Sequence, residues 1–256
     1  MRFVVVDLEA TCWSEERQPA LYAQQSEVSE IIEIGAVMLD DELQPVAEFQ
    51  RFVRPVRSPI LSDFCTSLTR ISQDDVDRAA RFVSVYEAFL AWMEGSEGVA
   101  LVSWGRYDHN QLVREATAAG LPMPAWTPIN AKEEFTAWVR AHTGRRLRYG
   151  MARAMAHLEL PFLGTAHRGI DDARNLVRVF QILRSLEHRS ANACRALEVL
   201  TARHPQPTHL GHLRARWPDA KSWFPRTRQE LIRLRLVVDA GQGRGLSLTE
   251  RGVRLA

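Results

Sequence analysis

FVVVDLEATCW, residues 3–13, decides how the rest of the chain is read. Phe3 to Val6 are apolar and three of the four are β-branched, which is the composition of a buried central strand. Side chains alternate faces along a strand, so Asp7 and Glu9, two positions apart, point the same way. Burying two anions side by side costs on the order of several kcal/mol unless something cationic compensates. No lysine or arginine lies between Phe3 and Trp13, so a bound cation is the natural partner. Hard carboxylate oxygens favour Mg²⁺ or Mn²⁺ over zinc. A strand that merely runs out into solvent would carry the same pair, and only further acids elsewhere in the chain separate the two readings.

Two such sites follow. In VALVSWGRYDHNQL, residues 99–112, Val99 to Ser103 reads as a short strand, then a turn and a helix whose apolar positions begin at Tyr107 and Leu112. Asp108 then sits near a helix start just beyond a strand end, where an acid also complements the helix dipole. In AHRGIDDARNLVRVFQIL, residues 166–183, the positions Ala173, Leu176, Val177, Phe180 and Leu183, continued by Leu186, define one apolar helix face. Asp171 and Asp172 fall in its first turn, with His167 five residues before Asp172. Each acid alone has a structural explanation. Helix dipoles and strand ends do not account for all of them together in this order.

DLEAT (7–11), SWGRYD (103–108) and HRGIDDARN (167–175) resemble the three exonuclease motifs of the DEDDh superfamily of 3′→5′ exonucleases. LSDFCTSLTRISQDDVDRA (61–79) is similar to a segment typical of the Eri-type, Snipper-like branch, which includes the histone-mRNA 3′ exonuclease. The likeness runs from about Arg2 to about Leu186. It implies a ribonuclease-H-like fold, with Asp7, Glu9, Asp108 and Asp172 as metal-binding carboxylates and His167 as general base. By the family's spacing from the histidine, the resemblance implies Asp172 rather than Asp171. It also implies 3′→5′ direction, release of nucleoside 5′-monophosphates, and a 3′-terminal nucleotide lying against Ala10, Thr11 and Trp13. Stacking on the Trp13 ring would be worth about 1–3 kcal/mol. Trp104 and Tyr107 resemble aromatic positions around the second motif, and packing beneath the helix suits both equally. Arg70 departs from the pattern, standing where many relatives have glycine.

Phosphodiester hydrolysis needs an activated water, neutralised phosphate charge and help for the departing 3′ oxygen. Two divalent ions roughly 3.5–4 Å apart meet all three needs. Two Mg²⁺, replaceable by Mn²⁺, are therefore expected, with Asp7 bridging both, Glu9 and Asp172 on the nucleophile side, and Asp108 reaching the second ion mainly through water. An unperturbed imidazole titrates near ~6.5, which suits His167 to accept a proton at working pH. Gly164 and Gly169 flank it with backbone freedom.

The chain has 256 residues, 46% hydrophobic and 25% charged, enough for one sizeable core and a smaller unit. No stretch approaches the ~18 apolar residues of a membrane span, and no leader of signal-peptide length is expected. Cys12, Cys65 and Cys194 are far apart and odd in number, so neither a disulfide framework nor a zinc knuckle is indicated, and a reducing cytoplasmic setting is expected. Residues 187–256 hold 13 basic against 6 acidic groups, and residues 1–186 hold 20 against 25. All basic residues but Lys132 and Lys221 are arginines, which suit phosphate contacts, although a GC-rich genome gives the same bias.

Strands are expected at 3–8, near 30–39 and 45–54, and at 99–103, with strand-like chain before 131. Helices are expected after Ser72, over the Val83, Tyr86, Phe89, Leu90 and Met93 face, from about 107, at about 131–142 and 150–158, and at 170–187. The whole is an α/β fold, a mixed sheet flanked by helices, forming a nuclease domain over 1–187. Residues 188–256 carry their own pattern: helices at 191–203, near 208–217 and near 225–236, then strand, Gly-rich tip and strand in VVDAGQGRGLSLTERGVRLA. Three helices and a hairpin resemble a winged helix, in which Arg226, Arg228, Arg233 and Arg244 would touch phosphates. A tail that only packs on the nuclease domain is the other reading. The expected partner is nucleic acid with a free 3′ end, RNA favoured. A rival of another class is a transcriptional regulator whose nuclease-like part is a non-catalytic scaffold, and the intact acids speak against it.

Overall fold

The computed structural model describes residues 2–93, 98–143, 149–158, 160–187 and 191–209, and beyond these 212, 215, 228–229, 231–232, 236–239 and 245–249. The element order is β1 (Phe3–Ala10), α1 (Pro19–Val28), β2 (Ile31–Leu39), β3 (Pro45–Phe52), α2 (Asp63–Thr69), α3 (Gln73–Asp77) and α4 (Phe82–Trp92). It continues with β4 (Ala100–Ser103), α5 (Tyr107–Ala118), β5 (Thr127–Asn130), α6 (Ala131–Thr143), α7 (Met151–His157), α8 (Gly169–Glu187), α9 (Ala191–Arg203), β6 (Val237–Asp239) and β7 (Leu246–Leu248). The chain divides into two compact units.

The first unit, Met1–Phe135 with Tyr149–Met155 and Pro161–Val179, holds a five-stranded sheet in the order β3-β2-β1-β4-β5. β1, β2 and β3 form an antiparallel meander, and β4 and β5 add in parallel beyond β1. β1 is thus central, as its valine run dictates. Val4, Val6 and Leu8 face a core with Val85, Tyr86 and Phe89 of α4 and Leu112 of α5. Val83 was expected on that buried face of α4. It is 41% exposed, and Val85 takes the buried position. The opposite face of the sheet carries Asp7 and Glu9. This is a ribonuclease-H-like α/β fold with a mixed sheet.

Two helices lie where none was expected. α1 buries none of its residues, so it has no apolar stripe to read. α2 has seven residues and is set by its cap, the Ser62 hydroxyl accepting from the Cys65 N–H at 3.0 Å. The helix expected after Ser72 is α3, and Ser72 caps it in a reciprocal box, with the Asp75 carboxylate returning to the Ser72 N–H at 2.9 Å.

The second unit, Thr136–Arg148 with Ala156–Leu160 and Phe180–Ala256, has its own core of Leu197, Leu200, Leu231, Leu236, Val237 and Leu246. β6 and β7 pair antiparallel, as expected for the hairpin. The helices expected near 208–217 and 225–236, and the hairpin tip, lie largely outside the described residues. No described helix is long and apolar enough to cross a membrane.

Candidate active site

β4 pairs with β1 only along Phe3 to Val5, so beyond Val5 β1 keeps β2 on one side and loses its parallel neighbour on the other. On the vacated side the Leu8 N–H donates to Asp108 Oδ1 at 3.0 Å. Asp108 sits in the first turn of α5, and the short turn after β4 brings it there. The helix-start acid therefore satisfies a strand amide and faces the Asp7 end of β1. That tether is more than dipole complementation.

Asp172 arrives from the first turn of α8, which lies hard against the sheet. Asp7 is paired across the ladder with Gly35 of β2. A Cβ on Gly35 would fall 2.1 Å from the Gly169 carbonyl carbon and the Ile170 nitrogen, and one on Gly169 would fall 2.9 Å from the Asp7 carbonyl oxygen. Two missing side chains thus let the helix start touch the β1 and β2 backbones. Carboxylate oxygens of Asp7, Glu9 and Asp172 lie within 4.8 Å of one another.

The neighbouring Asp171 turns elsewhere. Its Oδ2 accepts from the Thr165 N–H at 2.9 Å and its Oδ1 meets Arg174 at 3.0 Å. Arg174 in turn reaches Glu48 of β3 at 2.6 Å.

Glu9, Asp108 and Asp172 are buried and Asp7 is half-buried, and the four lie close together. Asp7 is held well above the usual carboxylate range, first by burial and then by repulsion from Asp108, Glu9, Asp172 and Glu33. Glu9 is pushed from its usual 4.5 to about 9 by burial and then by the charges of Asp172 and Glu33. Asp108 is pushed up to about 6 by burial, with the Leu8 amide pulling the other way. Burial raises Asp172 too, opposed by the backbone amides of His167 and Arg168. Among the described residues none of the four has a lysine or arginine ion pair. Crowded oxygen donors with no lysine or arginine partner among the described residues fit a hard divalent cation.

His167 is exposed beside this cluster, with a left-handed backbone at φ 61°. Its loop is tied down around it. Leu163 N–H donates to Asn175 Oδ1 at 3.1 Å, Thr165 N–H to Asp171, and Arg168 N–H to Asp172 Oδ2 at 3.1 Å. Gly164, at φ 85°, leaves room that Asp171 fills.

The residues expected to meet a terminal nucleotide are more enclosed than the sequence suggested. Thr11 spends its hydroxyl on the Glu30 N–H at 2.9 Å, and Trp13 is 4% exposed, so its ring has little face to offer a base. Ala10 is buried. Trp104 packs on Phe135 with ring centres 5.9 Å apart, whereas Tyr107 is exposed. Arg226, Arg233 and Arg244 lie outside the described residues, and Arg228 is half-buried.

Sequence reasoning missed Glu33. It faces Glu9 across the ladder, is fully buried, and accepts from Gln50 Nε2, Gly169 N–H and Arg168 Nε. The signal was a lone acid inside the otherwise apolar run IIEIGAVML.

A family model described as Exonuclease, RNase T type, matches residues 4–180. The 3′-5′ exonuclease Snipper of Drosophila melanogaster is 30% identical over 197 residues, covering 68% of this chain and 66% of its own. The 3′-5′ exoribonuclease 1 of Mus musculus is 29% identical over 184 residues, covering 68% of this chain and 50% of its own, so the chain spans half to two thirds of these relatives. The nuclease domain of 3′hExo, a DEDDh family member bound to rAMP, is 30% identical with TM-score 0.59 and covers 73% of this chain and 92% of that one. Cell-death related nuclease 4 shares the fold at 21% identity and TM-score 0.64, covering 98% of this chain and 81% of its own.

Proposed function

Because the chain belongs to the RNase T exonuclease family and has Snipper- and ERI1-like relatives, we propose that it is a metal-dependent 3′→5′ exonuclease. Its substrate is nucleic acid with a free 3′ end, RNA before single-stranded DNA, and its products are nucleoside 5′-monophosphates. The observation that carries this is the meeting of Asp7, Glu9 and Asp172 within 4.8 Å, beside an Asp108 tethered to the same strand.

Asp7, Glu9, Asp108 and Asp172 would hold two Mg²⁺, with Mn²⁺ able to replace them. When bound, such ions neutralise phosphate charge and make a coordinated water acidic. His167 accepts the water's proton on an imidazole nitrogen, and its exposed position lets it pass that proton to solvent. Arg168 and His167 amides hold the Asp172 carboxylate in place. Ala10, Thr11 and Trp13 form the wall against which the terminal nucleotide lies, Trp13 by shape rather than by an open stacking face.

RNA is favoured because the Eri-type segment at 61–79 is present and a relative is named an exoribonuclease. In this reading residues 1–187 form the nuclease domain. Residues 188–256 form a basic, winged-helix-like module whose Arg226, Arg228, Arg233 and Arg244 add phosphate contacts. The free thiols of Cys12 and Cys65 suit a reducing cytoplasmic setting.

Matched RNA and DNA oligonucleotides with 3′-hydroxyl ends test the substrate. Faster shortening of RNA is expected, and equal or faster shortening of DNA would overturn the preference. Full-length oligonucleotides of both kinds would favour a binding protein without catalysis.

A further inference from the structure

We propose that Glu33 is a positioning residue for catalysis: through Gly169 and Arg168 it fixes the segment that carries His167 and delivers Asp172. This rests on the nuclease reading above.

Glu33 is 0% exposed, in the middle of β2. Its carboxylate accepts three donors from two parts of the fold: Gln50 Nε2 of β3 at 2.7 Å, and, from adjacent residues at the start of α8, the Gly169 N–H at 3.1 Å and Arg168 Nε at 3.3 Å. The Arg168 guanidinium also lies over the Phe52 ring, 5.2 Å from its centre. Phe52 is the ladder partner of Glu33. One buried carboxylate therefore holds the backbone of residue 169 and the side chain of residue 168, directly after His167.

A buried ion pair is a weak source of net stability, because desolvation offsets most of the attraction. Its effect here is geometric. The opening N–H groups of a helix have no intrahelical partner, and Glu33 takes one of them at the point where Gly35 lets the helix touch the sheet. His167 makes the left-handed turn one residue before this clamp. Without the clamp, residues 163–169 keep the Asn175 and Asp171 ties at their start and the Arg168 N–H tie to Asp172, and lose their anchor to β2.

Glu33→Gln keeps the shape and one acceptor, Glu33→Ala removes all three contacts, and Arg168→Lys keeps charge but not the planar fork. For Glu33→Ala, kcat on a 3′-hydroxyl oligonucleotide is expected to fall at least tenfold with KM within twofold. Glu33→Gln should recover part of that loss and Arg168→Lys should show a smaller one.

Amide hydrogen exchange without metal or substrate is the second readout. A peptide covering 163–169 should exchange faster in Glu33→Ala, while β1 peptides keep wild-type protection. Wild-type kcat in Glu33→Ala, or unchanged exchange at 163–169, would overturn the proposal. A general rise in exchange across β1 and β2 would reduce Glu33 to a structural role and overturn it too. A wild-type protein inactive on every 3′ end would instead sink the nuclease reading, and the exchange result would still decide whether Glu33 holds the segment.

Discussion

Carboxylates that burial and mutual repulsion keep protonated make the metal-free protein sensitive to pH. The folded form of Glu9 holds its proton up to about pH 9 and that of Asp108 up to about 6, whereas the unfolded groups release theirs near 4.5 and 3.8. The folded state thus binds more protons in that window, and the stabilisation it gains is full below it and lost as pH rises. Without metal, Tm should fall between about pH 5 and pH 9. Mg²⁺ binds the ionised acids, so the rise in Tm on adding it should be larger at pH 8 than at pH 6. A Tm that climbs with pH in EDTA, or a Mg²⁺ effect independent of pH, would contradict the crowded site. His167 gives a second residue-scale expectation. Its left-handed backbone costs on the order of 1 kcal/mol. His167→Gly should keep or slightly raise the urea midpoint while hydrolysis falls by about 10²-fold or more. Parallel losses of stability and rate would mean the histidine is there for the loop's shape.

At the scale of elements, two close fits are testable by single substitutions. A methyl on Gly35 would meet backbone rather than a movable side chain, so Gly35→Ala should cost about 3 kcal/mol or more in denaturant unfolding and abolish hydrolysis. Wild-type stability would mean α8 does not rest on β2 as described. Arg70 closes α2 with φ 59°, the left-handed position that glycine takes without strain. Arg70→Gly should stabilise by about 0.5–1 kcal/mol, read from the urea midpoint. The elements that position the site were legible because their patterns are strong: the valine run of β1, the apolar, β-branched run of β2, the alternation in β3, and the 3.6-residue face of α8. α1 was not legible, since a helix that buries nothing leaves no stripe. Glu33 was passed over for a related reason. Single-strand patterning shows which face a side chain occupies, but not that Gln50 from β3 and the Arg168–Gly169 pair from the start of α8 come from two distant segments to meet it. The enclosure of Trp13 was hidden similarly, because burial at a strand end depends on what folds over it.

For the molecule as a whole, charge separates the two ends of the chain. The acids of the site belong to a stretch with 20 basic and 25 acidic groups, and residues 187–256 carry 13 against 6. If the basic end engages nucleic acid, replacing Arg226, Arg228, Arg233 and Arg244 with Gln in the full chain should weaken binding of single-stranded RNA. It should also flatten the salt dependence by about 0.7 per lost phosphate contact in log K against log salt. An unchanged slope would mean these arginines are merely solvated. The proposed catalysis needs four acids acting together on a 3′ end. Its most direct test is a 5′-labelled single-stranded RNA incubated with Mg²⁺ and either the wild-type protein or Asp7→Ala. The wild type should give a ladder of progressively shorter labelled products that EDTA abolishes, and a folded Asp7→Ala protein should leave the RNA at full length. A full-length RNA with the wild type, or an undiminished ladder with Asp7→Ala, would contradict it.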